Sequence, residues 1–296
     1  MEVFYIKNYS EKASYDWSEN SVRIIATPSL VAKSTYFYIE EVGYFKTRST
    51  YFTERENLNS YLIIFVLSGK GYLEYKGKSY TIYKDQGFFI NCMEYQYYKA
   101  DVSDPFEILW VHFNGGTSHG YYQQFSKNNS PICSFEKNTI VPSIIQQLIL
   151  SHKEMNIRTE PLSSKLIIEL LTEFLFTINA PDSSETFLPE YIKKIMKDLD
   201  KSLMEKITLD MLAKKYSINK FHLEKEFKKF IGISPNEYII TNRISLGKEL
   251  LKYSHIPISE ISFKIGIDNV SHFINLFKNR EGITPLGYRK KWQGPR

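Results

Sequence analysis

Two stretches of the sequence, 50 residues apart, each place polar side chains along one face at helical spacing. The outward positions are Lys225 and Lys228, together with the apolar Phe221, in the first stretch and Ser271, Asn275 and Lys278 in the second. Hydroxyl, amide and ammonium groups can hydrogen bond to base edges in the DNA major groove, and ammonium groups also pair with phosphates. Because a charged helix face is often merely solvated, the elements that carry these residues decide between the two interpretations.

Both stretches belong to an internal repeat, which usually marks two copies of one supersecondary unit. The repeated motif reads Phe227-Lys228-x-x-x-Gly232-Ile233-Ser234-Pro235-x-x-Tyr238 in the first copy and Phe277-Lys278-x-x-x-Gly282-Ile283-Thr284-Pro285-x-x-Tyr288 in the second. Each copy predicts a helix with a glycine C-cap, then a Ser or Thr N-cap with proline at the first position of the next helix. The apolar inner positions before each stop are Leu223, Phe227 and Phe230, then Phe273 and Phe277.

A shorter helix is predicted before each of these, over 209–216 with Thr208 as its N-cap and over 258–265. Two helices joined by a short turn, the second with a polar outer face, form a helix-turn-helix, whose second helix enters the DNA major groove. A longer helix over 234–253 would join the two units. If it holds them about one DNA turn apart, roughly 34 Å, both reading helices can enter successive major grooves.

From residue 189 to residue 296 the sequence resembles the AraC/XylS family of transcriptional regulators. The matching residues are Leu212-Ala213, Phe227-Lys228, Gly232-x-Ser234-Pro235-x-x-Tyr238, Arg243-Ile244, Leu250-Leu251, Ile258-x-Glu260-Ile261, Gly266, Ser271-x-Phe273, Phe277-Lys278 and Gly282-x-Thr284-Pro285-x-x-Tyr288-Arg289. The chain departs from the family at Gly247 and Ser262, where alanine is usual, and at Ile267, where phenylalanine is usual. We expect local repacking of the same fold at these positions.

The resemblance implies which side chains meet double-stranded DNA. In the first reading helix they are Phe221, His222, Glu224 and Lys225, with Lys228 and Lys229 better placed for phosphates; in the second they are Val270, Ser271, His272, Asn275 and Lys278. Asn275 is suited to adenine, whereas many relatives carry arginine there for guanine. We therefore expect a different base preference at that position.

The N-terminal half has the pattern of a β-domain. Aromatic and β-branched runs separated by Gly and Lys turns predict strands at 35–39, 61–67, 71–75, 79–83, 87–91 and 106–113. Short strands at this spacing favour a small barrel or jelly roll. The region resembles the cupin-like effector domain of AraC-type regulators through Tyr61-Leu62, Leu67-Ser68-Gly69-Lys70-Gly71 and Glu107-Ile108-Leu109-Trp110-Val111-His112-Phe113-Asn114-Gly115. The predicted fold is α+β: a cupin-like barrel with helices, then an all-α double helix-turn-helix.

The resemblance also implies a small-molecule site in the barrel. Trp110 matches a tryptophan that stacks on sugar in a relative. Arg48 and Arg55 lie near the sequence position at which that relative has a ligand-binding arginine. His112 is a further candidate. A core role for Trp110, surface positions for the arginines and a structural role for His112 remain open.

No metal, cofactor or catalytic residue is predicted. A predicted strand at 87–98 carries Asn91, Cys92, Glu94 and Gln96, and Gln96 stands where metal-binding relatives have histidine. Cys92 and Cys133 make neither a disulfide framework nor a zinc site, so free thiols are expected.

Two helices, at 142–152 and 162–179, are predicted after the barrel, the second with a wide apolar stripe. In the family the corresponding helix often pairs two subunits, so a homodimer is expected, with packing on the chain's own barrel as the alternative. The polar stretch 181–188 is the predicted linker. The expected domains are therefore 1–180 for effector binding and dimerisation and 189–296 for DNA binding.

Charge is uneven along the chain. Residues 189–296 hold 21 Lys and Arg against 12 Asp and Glu, a balance of +9, whereas residues 1–188 hold 17 against 21, a balance of −4. A basic C-terminal module fits DNA binding. With no run of about 20 apolar residues and no secretion signal at the start, we expect a cytoplasmic protein without a membrane partner.

The hypothesis from sequence is a DNA-binding transcription regulator, an activator, that responds to a sugar and controls a carbohydrate uptake or catabolism operon. RNA polymerase would be a further partner. The alternatives are the same DNA-binding role with a non-sugar effector or a protein partner, and a cupin enzyme.

Overall fold

The computed structural model describes residues 8–127, 129–179, 188–205 and 208–294, and it divides into two compact units, Met1–Asn179 and Ala180–Arg296. Residues 181–187 of the predicted linker lie outside the described ranges. The strands of the first unit are β1 (Ser10–Ser14), β2 (Val22–Ile25), β3 (Tyr38–Lys46), β4 (Phe52–Glu56), β5 (Tyr61–Ser68), β6 (Lys70–Tyr75), β7 (Lys78–Tyr83), β8 (Gln86–Asn91), β9 (Gln96–Ala100), β10 (Glu107–Asn114) and β11 (Ile132–Ser134). Its helices are α1 (Leu30–Thr35), α2 (Ser118–Ser126), α3 (Val141–Lys153) and α4 (Thr159–Asn179).

The strands form two antiparallel sheets. One has the order β1-β4-β9-β6-β7 and the other β11-β8-β5-β10-β3-β2. An apolar core fills the space between the sheets, and a second core lies where α2, α3 and α4 cover the outer face of the six-stranded sheet. The predicted α+β fold with a β-rich N-terminal domain is confirmed.

The central residues of β5 are all apolar because both faces of this strand are buried. Leu62, Ile64 and Val66 point into the core between the sheets, while Ile63 and Phe65 point into the core beneath the helices. A strand buried on both faces needs apolar residues at every position rather than at alternate ones.

Two predicted strands were wrong in part. The strand predicted at 35–39 begins only at Tyr38, because the preceding residues form α1, where the Ser29 hydroxyl caps the helix by accepting from the Ala32 amide. The stretch 87–98 is two strands in different sheets, β8 and β9. Asn91 ends the first of them, because its side-chain oxygen accepts from the Met93 amide in a turn.

The second unit is helical. Its helices are α5 (Glu190–Lys201), α6 (Leu209–Lys215), α7 (Lys220–Ile231), α8 (Pro235–Tyr253), α9 (Ile258–Lys264), α10 (Val270–Glu281) and α11 (Pro285–Gln293). The predicted caps are confirmed: Gly232 and Gly282 are left-handed at the ends of α7 and α10, and Ser234 and Thr284 accept backbone hydrogen bonds at the starts of α8 and α11.

Two small cores organise these helices around α8. One contains Leu223 and Phe227 of α7 and includes Ile239 from the first half of α8. The other contains Phe273 and Phe277 of α10 with Leu251 from the second half of α8. The two predicted helix-turn-helix units are thus α6–α7 and α9–α10, joined by α8. Among the described helices, none is both long and apolar enough to span a bilayer.

Candidate nucleic-acid interface and ligand cavity

The helix α7 directs its predicted contact residues to solvent. Leu223 and Phe227 are fully buried on its inner face. The residues of its outer face are all exposed: Phe221, His222, Glu224, Lys225, Lys228 and Lys229. With 71% of its surface exposed, Phe221 cannot be a core residue. The start of the helix is fixed by Asn219, whose side-chain oxygen accepts from the Phe221 amide at 2.9 Å.

The helix α10 repeats this arrangement. Phe273 and Phe277 are fully buried, and the Asn269 side chain caps the helix by accepting from the His272 amide at 2.9 Å. Of the predicted contact residues, Ser271, His272, Asn275 and Lys278 are exposed and Val270 is half-buried. Each reading helix therefore presents donors and acceptors on a continuous outer face, as major-groove binding requires.

Ion pairs hold α10 against α8. The Arg280 guanidinium donates to Glu237 at 2.6 Å and to the Thr241 hydroxyl at 3.0 Å. The Lys248 ammonium lies 2.8 Å from the Glu281 carboxylate. These contacts fix the second reading helix on the helix that joins the units. Sequence reasoning missed them because the partners lie 33 to 43 residues apart.

Inside the barrel, three of the four predicted effector residues come together. Arg55 from β4 and Trp110 and His112 from β10 line one cavity, together with Glu11, Tyr15, Trp17, Arg23, Glu41, Phe45, Tyr51, Thr53, Ile64 and Tyr98. Its volume is about 20 Å³, little more than a water molecule occupies. Arg48 lies elsewhere: its guanidinium is 62% exposed and lies 3.6 Å from Asp16.

Arg55 is the central polar group of this cavity. Its side chain is only 8% exposed, and its Nε donates to the Glu11 carboxylate at 3.1 Å. Its Nη1 lies 2.7 Å from His112 Nε2. Glu11 was not predicted, because β1 is polar and its contact with β4 spans 44 residues.

His112 is a neutral acceptor for that guanidinium. Burial lowers the pKa of His112 well below its ordinary value, and the neighbouring charge of Arg55 lowers it further. A neutral imidazole that accepts at Nε2 carries its proton on Nδ1, which lies 3.2 Å from the Ser60 hydroxyl. His112, on β10, therefore orients Arg55 by accepting from Nη1, and Glu11, on β1, holds it by accepting from Nε.

Trp110 is buried beside this network, with 5% of its surface exposed. The centroid of its ring lies 4.9 Å from that of Phe45. Gly43, on the paired strand β3, leaves room for the indole, because a Cβ at that position would lie 2.6 Å from Trp110 Cζ2. Within the described ranges no group accepts the Trp110 indole N–H. A buried donor without an acceptor costs about 1–3 kcal/mol, so this N–H is a ready contact for a polar ligand atom.

Gln96 does not complete a metal site. It is fully buried, and its Nε2 lies 3.5 Å from the Cys92 carbonyl oxygen. No cluster of three or more His, Cys, Asp or Glu side chains suited to a metal ion occurs within the described residues.

A second cavity, of about 240 Å³, lies between the β6–β7 hairpin and α2. It is lined by Tyr75, Lys76, Lys78, Tyr80, Phe89, Tyr122, Phe125, Ser126, Asn129, Ser130 and Pro131. The hydroxyls of Tyr75 and Tyr122 are 2.9 Å apart at its base. Sequence reasoning did not identify this cavity, because its lining comes from three segments without a shared motif.

Comparisons with known proteins find a matching domain family in each half of the chain. The AraC-like ligand binding domain matches residues 38–175, and a helix-turn-helix domain matches residues 212–291. The Msm operon regulatory protein of Streptococcus mutans is 24% identical over 246 residues, which cover 79% of this chain and 86% of that protein. The lactose operon transcription activator of Staphylococcus xylosus is 25% identical over 229 residues, covering 76% and 81%. The bifunctional transcriptional activator/DNA repair enzyme AdaA of Bacillus subtilis is 36% identical over 101 residues, covering 34% and 48%.

Proposed function

Because the chain belongs to the AraC family of DNA-binding transcription regulators, we propose that it activates a carbohydrate uptake or catabolism operon when a sugar binds in its N-terminal barrel. The observation that carries the sugar assignment is the cavity in which Trp110 and Arg55 converge. It is supported by the similarity over most of the chain to an activator of a lactose operon.

The DNA contacts in this proposal are the exposed outer residues of α7 and α10. Lys228 and Lys229, in the last turn of α7, contact phosphates and set the register of the protein on the duplex. Asn275 reads adenine through its side-chain amide, whose N–H donates to adenine N7 and whose oxygen accepts from the N6 amino group. α8 keeps the two helices in a fixed relation, so both units bind one face of the DNA.

The sugar in this proposal lies against the Trp110 ring. An aromatic ring covers the apolar face of a pyranose, while buried polar groups pair with its hydroxyls. The unpaired indole N–H and the Arg55 guanidinium supply such groups. Since the cavity now holds about 20 Å³, ligand binding requires the lining to move.

The protein acts as a homodimer in this proposal, with RNA polymerase as a further partner on the promoter. α4 leaves apolar side chains exposed on one side: Leu162 at 37%, Ile168 at 41% and Phe176 at 62%. Pairing of this stripe with its copy in a second subunit would remove it from water.

A direct test combines DNA and sugar. Full-length protein first selects its preferred duplex from a random pool. Fluorescence anisotropy then measures its affinity for that duplex with and without mono-, di- and trisaccharides, among them sugar acids and sugar phosphates. We expect one sugar to change the affinity and to raise the melting temperature, since a ligand of the folded state stabilises it.

The variant Trp110→Phe should abolish the sugar response, whereas Tyr122→Phe, in the second cavity, should retain it. The reverse pattern would move the sugar to the second cavity. Selection of a specific duplex with no response to any sugar would refute the carbohydrate assignment and leave a non-sugar effector or a protein partner.

A further inference from the structure

The effector cavity is closed by a carboxylate of the chain itself. Glu11 lies on β1, an edge strand whose one partner among the described strands is β4. From there its carboxylate reaches Arg55 Nε at 3.1 Å, and its own side chain is only 18% exposed. It also accepts hydrogen bonds from the hydroxyls of Tyr9 and Tyr15. A polar edge strand thus places one negative charge inside the site proposed for the ligand.

The charges around the cavity balance in pairs. Glu41 is held by Arg23 through two close contacts, at 2.9 and 3.1 Å, and so is not available to Arg55. His112 is neutral. Glu11 is therefore the carboxylate that neutralises Arg55 among the described groups that line the cavity.

Removing Glu11 without replacement would leave a buried guanidinium without an anion. A buried charge whose partner is removed is strongly destabilising. Yet a ligand of sugar size cannot enter unless the lining moves, because only about 20 Å³ is free. Glu11, Tyr15 and Trp17 are the lining residues contributed by the first segment of the chain, and Tyr15 is 55% exposed.

From this charge balance we infer that the effector is an anionic sugar derivative, a sugar acid or sugar phosphate, whose anionic group takes the place of the Glu11 carboxylate on Arg55. This inference rests on the proposed sensing function. It narrows the ligand class, because a neutral sugar that displaced Glu11 would leave the buried charge of Arg55 without an anion, with the neutral His112 as its remaining protein acceptor. Carboxylate and phosphate both make charge-assisted hydrogen bonds to a guanidinium, so the shared chemistry is the anionic group.

Chemical rescue tests the anion site without knowledge of the sugar. In full-length Glu11→Ala and Glu11→Gln proteins, sodium acetate or phosphate at about 50 mM should raise the melting temperature by several degrees more than sodium chloride of equal ionic strength. The matched control is Glu54→Ala, on the neighbouring strand, whose carboxylate pairs with the largely exposed Lys12 at 3.7 Å. Rescue would show that Arg55 requires an anion, and the choice between acetate and phosphate would show which anionic group the site accepts. Equal responses of the Glu11 and Glu54 variants to the anions would overturn the inference.

A binding titration then separates this inference from the proposed function. Glucuronate or glucose 6-phosphate should bind Glu11→Gln at least ~10-fold more tightly than the unmodified protein, since the competing carboxylate is gone, and glucose should bind neither. Binding of neutral glucose or lactose to the unmodified protein, weakened by Glu11→Gln, would refute an anionic effector while supporting a sugar sensor.

Discussion

Replacing Gly247 by alanine should stabilise the helical unit. Gly247 is buried in the middle of α8, where glycine costs about 1 kcal/mol relative to alanine. A Cβ at this position would lie 3.4 Å from Ile265 Cδ1 and 3.6 Å from the Phe273 ring, which is ordinary van der Waals contact. Burying the added methyl contributes up to ~0.8 kcal/mol more. The free energy of unfolding should therefore rise by about 1–2 kcal/mol.

The matched control is the same substitution at Gly232, with the opposite sign. This residue ends α7 at φ +84°, and no atom of the described residues lies within 4 Å of the position a Cβ would take. Alanine would gain no contact, and the left-handed backbone costs an L-residue about 1–2 kcal/mol. Gly232→Ala should lower the free energy of unfolding by about 1–2 kcal/mol.

Urea denaturation followed by far-UV circular dichroism measures both changes as shifts of the midpoint at constant slope. Neither glycine lies among the proposed contact residues of α7 and α10, so Gly247→Ala should leave affinity for DNA unchanged. A destabilised Gly247→Ala protein would contradict this prediction, since it would mean that Ile265 and Phe273 cannot accept a methyl group.

Three further predictions concern binding and pH. Lys228→Ala should weaken binding to every DNA sequence alike and reduce the slope of log affinity against log salt by about 0.9; a loss confined to one sequence would contradict a phosphate contact. Asn275→Ala should weaken the preferred duplex by about 1–3 kcal/mol and leave random DNA unaffected in anisotropy titrations; equal losses on both would exclude base reading. Because the folded-state pKa of His112 is depressed, the unfolded chain binds the extra proton below about pH 6.5, so stability is complete above that pH and falls by up to ~1.4 kcal/mol per unit as the pH drops. His112→Gln should flatten this dependence of stability on pH, measured by melting curves at several pH values. An unchanged dependence would show that protonation of His112 does not cause it.

The helical unit could be predicted in detail because its signals are local. Gly232 and Ser234, and their counterparts Gly282 and Thr284, specify helix ends within a few residues of themselves. The 3.6-residue period then separates buried from exposed positions, and it places Phe227 inside and Lys228 outside correctly.

The proposed ligand cavity could be predicted only in part, because strand partners are distant in sequence. Trp110 lies in a run whose apolar character is visible, whereas Glu11 lies in a polar strand whose partner is recognised only once β1 pairs with β4. From sequence alone, Arg48 and Arg55 are equal candidates for ligand binding, because both precede the strand that begins at Tyr61. Their positions differ because Arg48 precedes β4, whereas Arg55 points inward from it.

The contacts between α10 and α8 belong to the same class of missed features. In the sequence, Arg280 is a basic residue in the last turn of a helix, a position where basic residues are common. Its role in holding the reading helix emerges only from its approach to Glu237, 43 residues earlier.

We propose that α7 and α10 enter successive major grooves of one duplex. Hydroxyl-radical and methylation-interference footprinting of the full-length protein on its selected duplex tests this directly. Two protected segments about 10 base pairs apart on one face are expected, with Lys225→Ala losing contacts in one segment and Asn275→Ala in the other. A single protected segment, or loss of the same contacts in both variants, would contradict binding of α7 and α10 in two successive grooves.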